Sequence, residues 1–220
     1  MSIAEHYGKV QTVLGMLPEE ELGITLPHEH LLIDQTLGGV YFVEPESLSD
    51  RALAHQPVTL ENLSWVRYHT KDNLDNQLLM DVDTAIKEAM LFKLEGGRSI
   101  VDQTNRGLGR DPRALARIAR ATGLNIIMGC GYYADSPLTH DRVSEMTEEA
   151  IAQEIVGEFI HGVDDTGVRP GIIGELGCSW PLKPNATVAP SSSCQQRNAT
   201  CRSACARAPA PKPRASLNPL

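Results

Sequence analysis

The chain has 220 residues, 41% of them hydrophobic and 22% charged, with a net charge of −8. This is the balance of a globular protein with room for one sizeable core, and its acidity argues against nucleic acid or an anionic membrane as a partner. No run of eighteen apolar residues marks a membrane span, and the opening MSIAEHYGKVQTVLG has neither a secretory nor a transit pattern, so a cytoplasmic location is expected.

In chain order, Val10 to Leu14 is a β-prone run closed by Gly15, and Gly23 to Pro27 is a second that leads into His28-Glu29-His30. From Gly38 to about Gln56 the pattern is irregular and reads as a long loop, and Glu61 to Asn76 holds one short helix. A regular rhythm then begins. Thr84 to Glu95 carries Ala85, Ile86, Ala89, Met90 and Phe92 on one helical side and stops at Gly96-Gly97. Ser99 to Asp102 is a short apolar strand, and Asp111-Pro112 opens a helix, with Asp suited to the N-cap and Pro to the first turn. Leu115, Ile118, Ala119 and Thr122 follow at helical spacing before Gly123. Leu124 to Cys130 is the next strand, Thr147 to His161 a third helix, Asp164 to Gly167 a turn, and Gly171 to Leu176 a final strand. Apolar strands alternating with amphipathic helices imply an α/β fold with a parallel sheet buried on both faces.

Near Pro184 the character of the chain changes. Residues 184–220 hold five basic residues, no acidic or aromatic ones, six prolines and eight alanines, which leaves residues 1–183 with 15 Lys and Arg against 28 Asp and Glu. Without apolar periodicity the tail cannot bury enough surface to offset its ordering entropy, and disorder is expected there. Cys194, Cys201 and Cys205 have neither a C-x-x-C pair nor a downstream histidine, so they make no metal site of their own.

Candidate chemistry sits at the strand ends. In a strand, side chains two apart share a face, so His28 and His30 can converge on one metal ion; two partly exposed loop histidines are the alternative. Glu175 follows an apolar run, where a carboxylate is costly unless it is paired or bound to a metal. A bridging carboxylate between two ions suits it, and so does an ion pair with Arg or Lys. Asp102, Gln103, Thr104 and Asn105 end another strand and could line a pocket, whereas Arg110-Asp111 shapes a turn and caps a helix. Tyr132 and Tyr133 follow the next strand, where an aromatic either walls a pocket or packs. Nothing near Cys178 and Trp180 supplies a base, so both read as structural.

Together these segments resemble phosphotriesterase-related proteins. The resemblance is carried by Val10 to Gly15, Leu22-Gly23, Thr25 to His30, Arg110-Asp111, Gly129 to Tyr133 and Gly171 to Leu182, in matching order over roughly residues 9–183. It implies the N-terminal half, about four βα units, of an amidohydrolase-superfamily TIM (β/α)8 barrel holding two divalent ions, usually zinc. By the same resemblance His28 and His30 bind the more buried ion, and Glu175 is the bridging carboxylate in place of the carbamylated lysine of phosphotriesterases proper. Tyr133 matches a pocket-wall position. The implied activity is hydrolysis of an ester, lactone, amide or phosphoester bond in a small-molecule substrate.

Two further histidines after strands five and six, and an aspartate after strand eight, belong to the family pattern. Here His6, His55, His69, His140 and His161 all precede Glu175, and no acidic residue follows it. The chain is therefore expected to be truncated. A partial barrel domain is expected over 1–183 and a tail unlike the family over 184–220, the tail having the composition of GC-rich coding sequence read out of frame. At most one zinc ion, weakly held, is expected, with self-association through the open sheet edge. A catalytically inactive remnant or pseudoenzyme is the alternative to a working hydrolase.

Overall fold

A computed structural model describes residues 7–38, 42–133 and 146–175 of the chain. The tail from 184 to 220, Leu176, Cys178 and Trp180 lie outside the described residues. Thirteen regular strands and helices are described: β1 Lys9–Thr12, β2 Gly15–Pro18, β3 Thr25–Glu29, β4 Ile33–Asp34, α1 Leu48–Ala54, α2 Leu63–Tyr68, β5 Leu78–Leu79, α3 Val82–Leu94, β6 Ser99–Asp102, α4 Pro112–Thr122, β7 Asn125–Cys130, α5 Glu148–His161 and β8 Ile172–Ile173. Among them no helix is long and apolar enough to cross a membrane.

The centre is a parallel sheet in the order β3-β6-β7-β8, with α3, α4 and α5 as its crossovers. Local chemistry fixes where those helices start. Asp81 caps α3 by accepting from Thr84 N, Asp111 caps α4 by accepting from Arg113 N and Ala114 N, and Thr147 caps α5 by accepting from Ala150 N. Gly123, in the left-handed region, ends α4.

Alternation along the strands divides the core. Ile100, Ile126 and Met128 face the helices and pack with Leu115, Ile118 and Ala119 of α4 and with Ala85 and Ala89 of α3. Each fully buried Leu or Ile there contributes about 1.5–3 kcal/mol. Val101 and Ile127 face the other way, forming an inner layer with Ile172, Val10 and Leu22. The antiparallel β1–β2 hairpin supplies Val10 to that layer, and Val13 N donates to Ile126 O at 2.9 Å, so the hairpin closes the layer from below.

Three local features depart from the sequence expectation. The first β-prone run is one arm of a hairpin, because Gly15 turns the chain straight back into β2. Within the stretch read as an irregular loop, α1 forms; Ser47 caps it through Asp50 N, and its short length leaves little periodicity to read. Of the strand expected over Gly171 to Leu176, the described residues pair in the ladder at Ile172 and Ile173 only. Gly174 N and Glu175 N nevertheless continue as donors, to Cys130 O at 2.8 Å and Gln103 O at 3.0 Å.

Candidate metal centre

The strand ends bring three donors together. In β3, Leu26 pairs with Ile100 and Glu29 with Asp102, so three steps along β3 match two along β6. That bulge reverses the alternation. His28 and His30, which flank Glu29, are thereby turned away from the helix-facing side that Leu26 occupies, a re-aiming for which bulges near functional sites are suited. The two rings meet edge to face, with centroids 5.7 Å apart and an interplanar angle of 73°.

Glu175 comes from the opposite edge of the sheet, just past β8. Its Oε2 lies 3.1 Å from His30 Nε2 and 3.7 Å from His28 Nε2. One donor atom from each of the three residues falls within 4.8 Å of the other two, and this is the one such cluster of His, Cys, Asp or Glu among the described residues. Two imidazole nitrogens and a carboxylate oxygen converging on one point are the donor set that suits zinc. His28 is the most open of the three, with 57% of its side chain exposed against 23% for His30 and 30% for Glu175. The cluster is thus rooted on the His30 side and accessible from the His28 side.

The tetrapeptide Asp102-Gln103-Thr104-Asn105, at the carboxyl end of β6, ties these elements together. Asp102 Oδ2 accepts from Leu31 N at 2.8 Å and its Oδ1 from Thr104 N at 3.0 Å. Gln103 N donates to Glu29 O at 2.8 Å, and its side-chain amide donates to Pro27 O at 3.1 Å. Thr104 Oγ1 lies 2.9 Å from His30 Nδ1 and donates to Leu32 O at 3.1 Å. Asn105 Nδ2 donates to Glu175 O, and Gln103 O accepts from Glu175 N. All four residues are buried. One strand end therefore holds both β3 and the end of β8. Burial pushes the Asp102 carboxyl above its usual pKa, while the bonds from Leu31 and Thr104 and the nearby His30 work in the opposite direction.

Two glycines allow this approach. A Cβ on Gly174 would lie 2.5 Å from Gln103 O and 3.2 Å from Gly129 Cα. A Cβ on Gly129 would lie 2.9 Å from Gly174 Cα and 3.1 Å from both Asp102 O and Gln103 O. Neither position has room for a side chain unless the backbone moves.

Beside the cluster lies a second, structural network. Arg110, with only 2% of its side chain exposed, donates to both carboxylate oxygens of Glu158 at 2.9 and 2.8 Å and to Gly129 O at 3.1 Å. Arg106 reaches Glu158 at 3.1 Å, Glu154 at 3.3 Å and Asp164 at 3.6 Å, and Tyr132 donates to Glu154 at 2.9 Å. Burial works against the Arg106 charge, but Glu154, Glu158, Tyr132 and Asp164 outweigh it and hold its pKa above the usual value. Arg110 and Asp111 so fill the structural parts read for them. Tyr133 is half-buried just past β7, its Cβ beside Gly107, which a Cβ there would meet at 3.4 Å.

The sequence named His28, His30 and Glu175 as candidates but treated 102–105 only as a possible pocket lining. The organising contacts of that tetrapeptide run largely through backbone amides and carbonyls, which residue identities do not display. The one available signal was four consecutive polar residues directly after a buried apolar strand, which must find partners or pay for desolvation.

Comparison with known proteins gives the class. The Phosphotriesterase family model matches residues 8–205, and the chain belongs to that family. Among curated relatives, N-acetyltaurine hydrolase of Xenopus tropicalis is 42% identical over 177 residues, a match spanning 80% of this chain and 49% of the relative. N-acetyltaurine hydrolase of Dictyostelium discoideum is 36% identical over 219 residues, spanning 89% of this chain and 58% of the relative. A resiniferatoxin-binding protein from Rhodobacter sphaeroides is 38% identical with a TM-score of 0.79, the match covering 86% of this chain and 52% of that one. The chain thus spans about half the length of the relatives it matches. With the parallel sheet and its crossovers, these structural likenesses define a partial TIM barrel.

Proposed function

We propose that this chain carries the first metal-binding half-site of a hydrolase that cleaves a small acyl amide of the N-acetyltaurine type. His28, His30 and Glu175 hold a divalent cation, zinc by the chemistry of the donor set, and Tyr133 forms part of the substrate-pocket wall. The observation that carries the reading is the convergence of three donor atoms within 4.8 Å from two separate strand ends. When bound, such an ion supplies Lewis-acid polarisation of a carbonyl and acidification of a water molecule.

The chain's own residues do the rest. The bulge in β3 turns both imidazoles away from the helix-facing side, while Asp102 to Asn105 hold the His30 ring, the backbone at Leu31 and the backbone of Glu175. The more exposed His28 marks the side from which substrate approaches. The relatives' hydrolysis of N-acetyltaurine favours an amide over an ester, lactone or phosphoester substrate.

A second reading, a catalytically inactive protein, is favoured by the size of the donor set among the described residues: three groups suffice for one open site, whereas the family resemblance implies two ions. Taurine release from N-acetyltaurine, measured with zinc-loaded protein carrying this chain and with its H28A and E175A variants, separates the two. Turnover that disappears in both variants supports the hydrolase. Zinc uptake without turnover supports the inactive protein. Turnover unchanged in both variants contradicts the site.

A further inference from the structure

Thr104 makes two contacts whose chemistry is mutually restrictive. Its Oγ1 is 2.9 Å from His30 Nδ1 and 3.1 Å from Leu32 O. A hydroxyl has a single proton and a carbonyl can only accept. Thr104 is 1% exposed and Leu32 is 2% exposed, so an unpaired carbonyl at this place would lack water as a substitute. The hydroxyl proton therefore goes to Leu32 O, and the oxygen is left to accept from His30. For that, His30 must carry its proton on Nδ1.

The consequence appears on the other side of the ring. In the neutral ring, His30 Nε2 then presents a bare lone pair, 3.1 Å from Glu175 Oε2, which is an acceptor when ionised. In the metal-free chain a second ring proton on Nε2 can bridge this contact, and a metal cation would take that proton's place.

We propose that Thr104 is a positioning residue that fixes His30 in its Nδ1–H form, so that Nε2 is always the nitrogen offered to the cluster. The histidine pair is thereby divided: His30 is preset by a buried hydroxyl, whereas His28 is the adaptable member, with 57% of its side chain exposed. Thr104 is itself immobile. Its amide donates to Asp102 Oδ1 at 3.0 Å, and a β-branched side chain at a buried position has little χ1 freedom. Asp102, through Leu31 N at 2.8 Å, also fixes the backbone one residue beyond His30. The part of this inference that concerns metal rests on the proposed function; the part that concerns the ring proton does not.

Long-range ¹⁵N–¹H spectroscopy on metal-free chain labelled at histidine nitrogens reads the tautomer directly, and zinc titration of the same samples reads the consequence. In the wild type, His30 is expected in the Nδ1–H form. T104V is expected to shift it toward the Nε2–H form and to weaken zinc binding by about 10- to 100-fold, the range for losing the outer partner of a ligating histidine. T104S, which keeps the hydroxyl, is expected to retain both the tautomer and the affinity. An Nε2–H His30 in the wild type overturns the proposal, as does a folded T104V with an unchanged tautomer or unchanged zinc affinity. If T104V does not fold, the wild-type spectrum and T104S still decide the assignment. A wild type that shows the Nδ1–H form but takes up no zinc leaves the Thr104 assignment standing and contradicts the metal reading alone.

Discussion

The strand end at 102–105 and the segment from 42 to 80 are both organised by buried polar side chains, yet they use them for different ends. In the segment, Asn73 is fully buried and donates to Leu53 O and Gln56 O, both at 2.9 Å, while its Oδ1 accepts from Asn76 N at 2.9 Å. Nearer the surface, half-buried Asp50 accepts from Trp65 Nε1 at 3.0 Å, and exposed Asp75 from Val58 N at 2.8 Å. These bonds join residues of the segment to one another, and the described contact of the segment with the preceding strand is the two-residue pairing of β5 with β4. At 102–105 the same kinds of groups connect residues about 70 positions apart and bring both sides of the cluster together. One network gives a local excursion its shape; the other sets the geometry of a site.

That contrast can be tested from its strongest point downward. Asp102→Ala leaves the amides of Leu31 and Thr104 without an acceptor inside the protein and is expected to cost about 2–5 kcal/mol, with zinc binding lost alongside. Urea unfolding and zinc titration of the same sample check both halves. If metal affinity survived the substitution, the strand end would be structural only. Gly174→Ala is expected to cost about 1–3 kcal/mol by overpacking against Gln103 O, and to move Glu175 away from the histidines. Its signature is a larger loss of zinc affinity than a substitution of similar cost elsewhere produces.

Asn73→Ala supplies that control. It removes three hydrogen bonds and is expected to cost about 1–3 kcal/mol while leaving zinc affinity near the wild-type value. A matching loss of zinc binding would erase the distinction between the two regions.

The smallest effect belongs to the cap of α3. The Thr84 bonds hold the exposed Asp81 carboxyl below its usual pKa of 3.8, so its stabilisation is fully present above that value and is lost as pH falls through the lowered folded value. Asp81→Ala is therefore expected to unfold slightly earlier in urea at neutral pH, with the gap closing in acid. A gap that widened in acid would contradict the sign.

How much of this was legible in the sequence follows the same division. The bounds of β6, the caps of α4 and the span of α5 could be read because Asp111, Gly123 and the apolar periodicity act within a few residues, although Thr147, read as the first helical residue, is the cap of α5. His28, His30 and Glu175 could be read because their residue types at strand ends carry chemistry. The segment from 42 to 80 could not, since Asn73 organises it through carbonyls 17 and 20 residues away and leaves no period. The bulge in β3 also escaped: simple alternation predicts that the two histidines share a face, but not which one, and the extra residue between Leu26 and Glu29 decides that. The roles of Thr104 and Gly174 depend on what stands opposite them, which only the folded chain reveals.

Two strand ends are held together so that donor atoms of His28, His30 and Glu175 fall within 4.8 Å of one another, and from this we propose that they bind one cation. Zinc titration of metal-free chain, with bound metal counted by elemental analysis, tests it most directly. About one equivalent per folded chain is expected, lost in H30A and in E175A. No uptake by folded chain, or uptake unchanged in both variants, would contradict it.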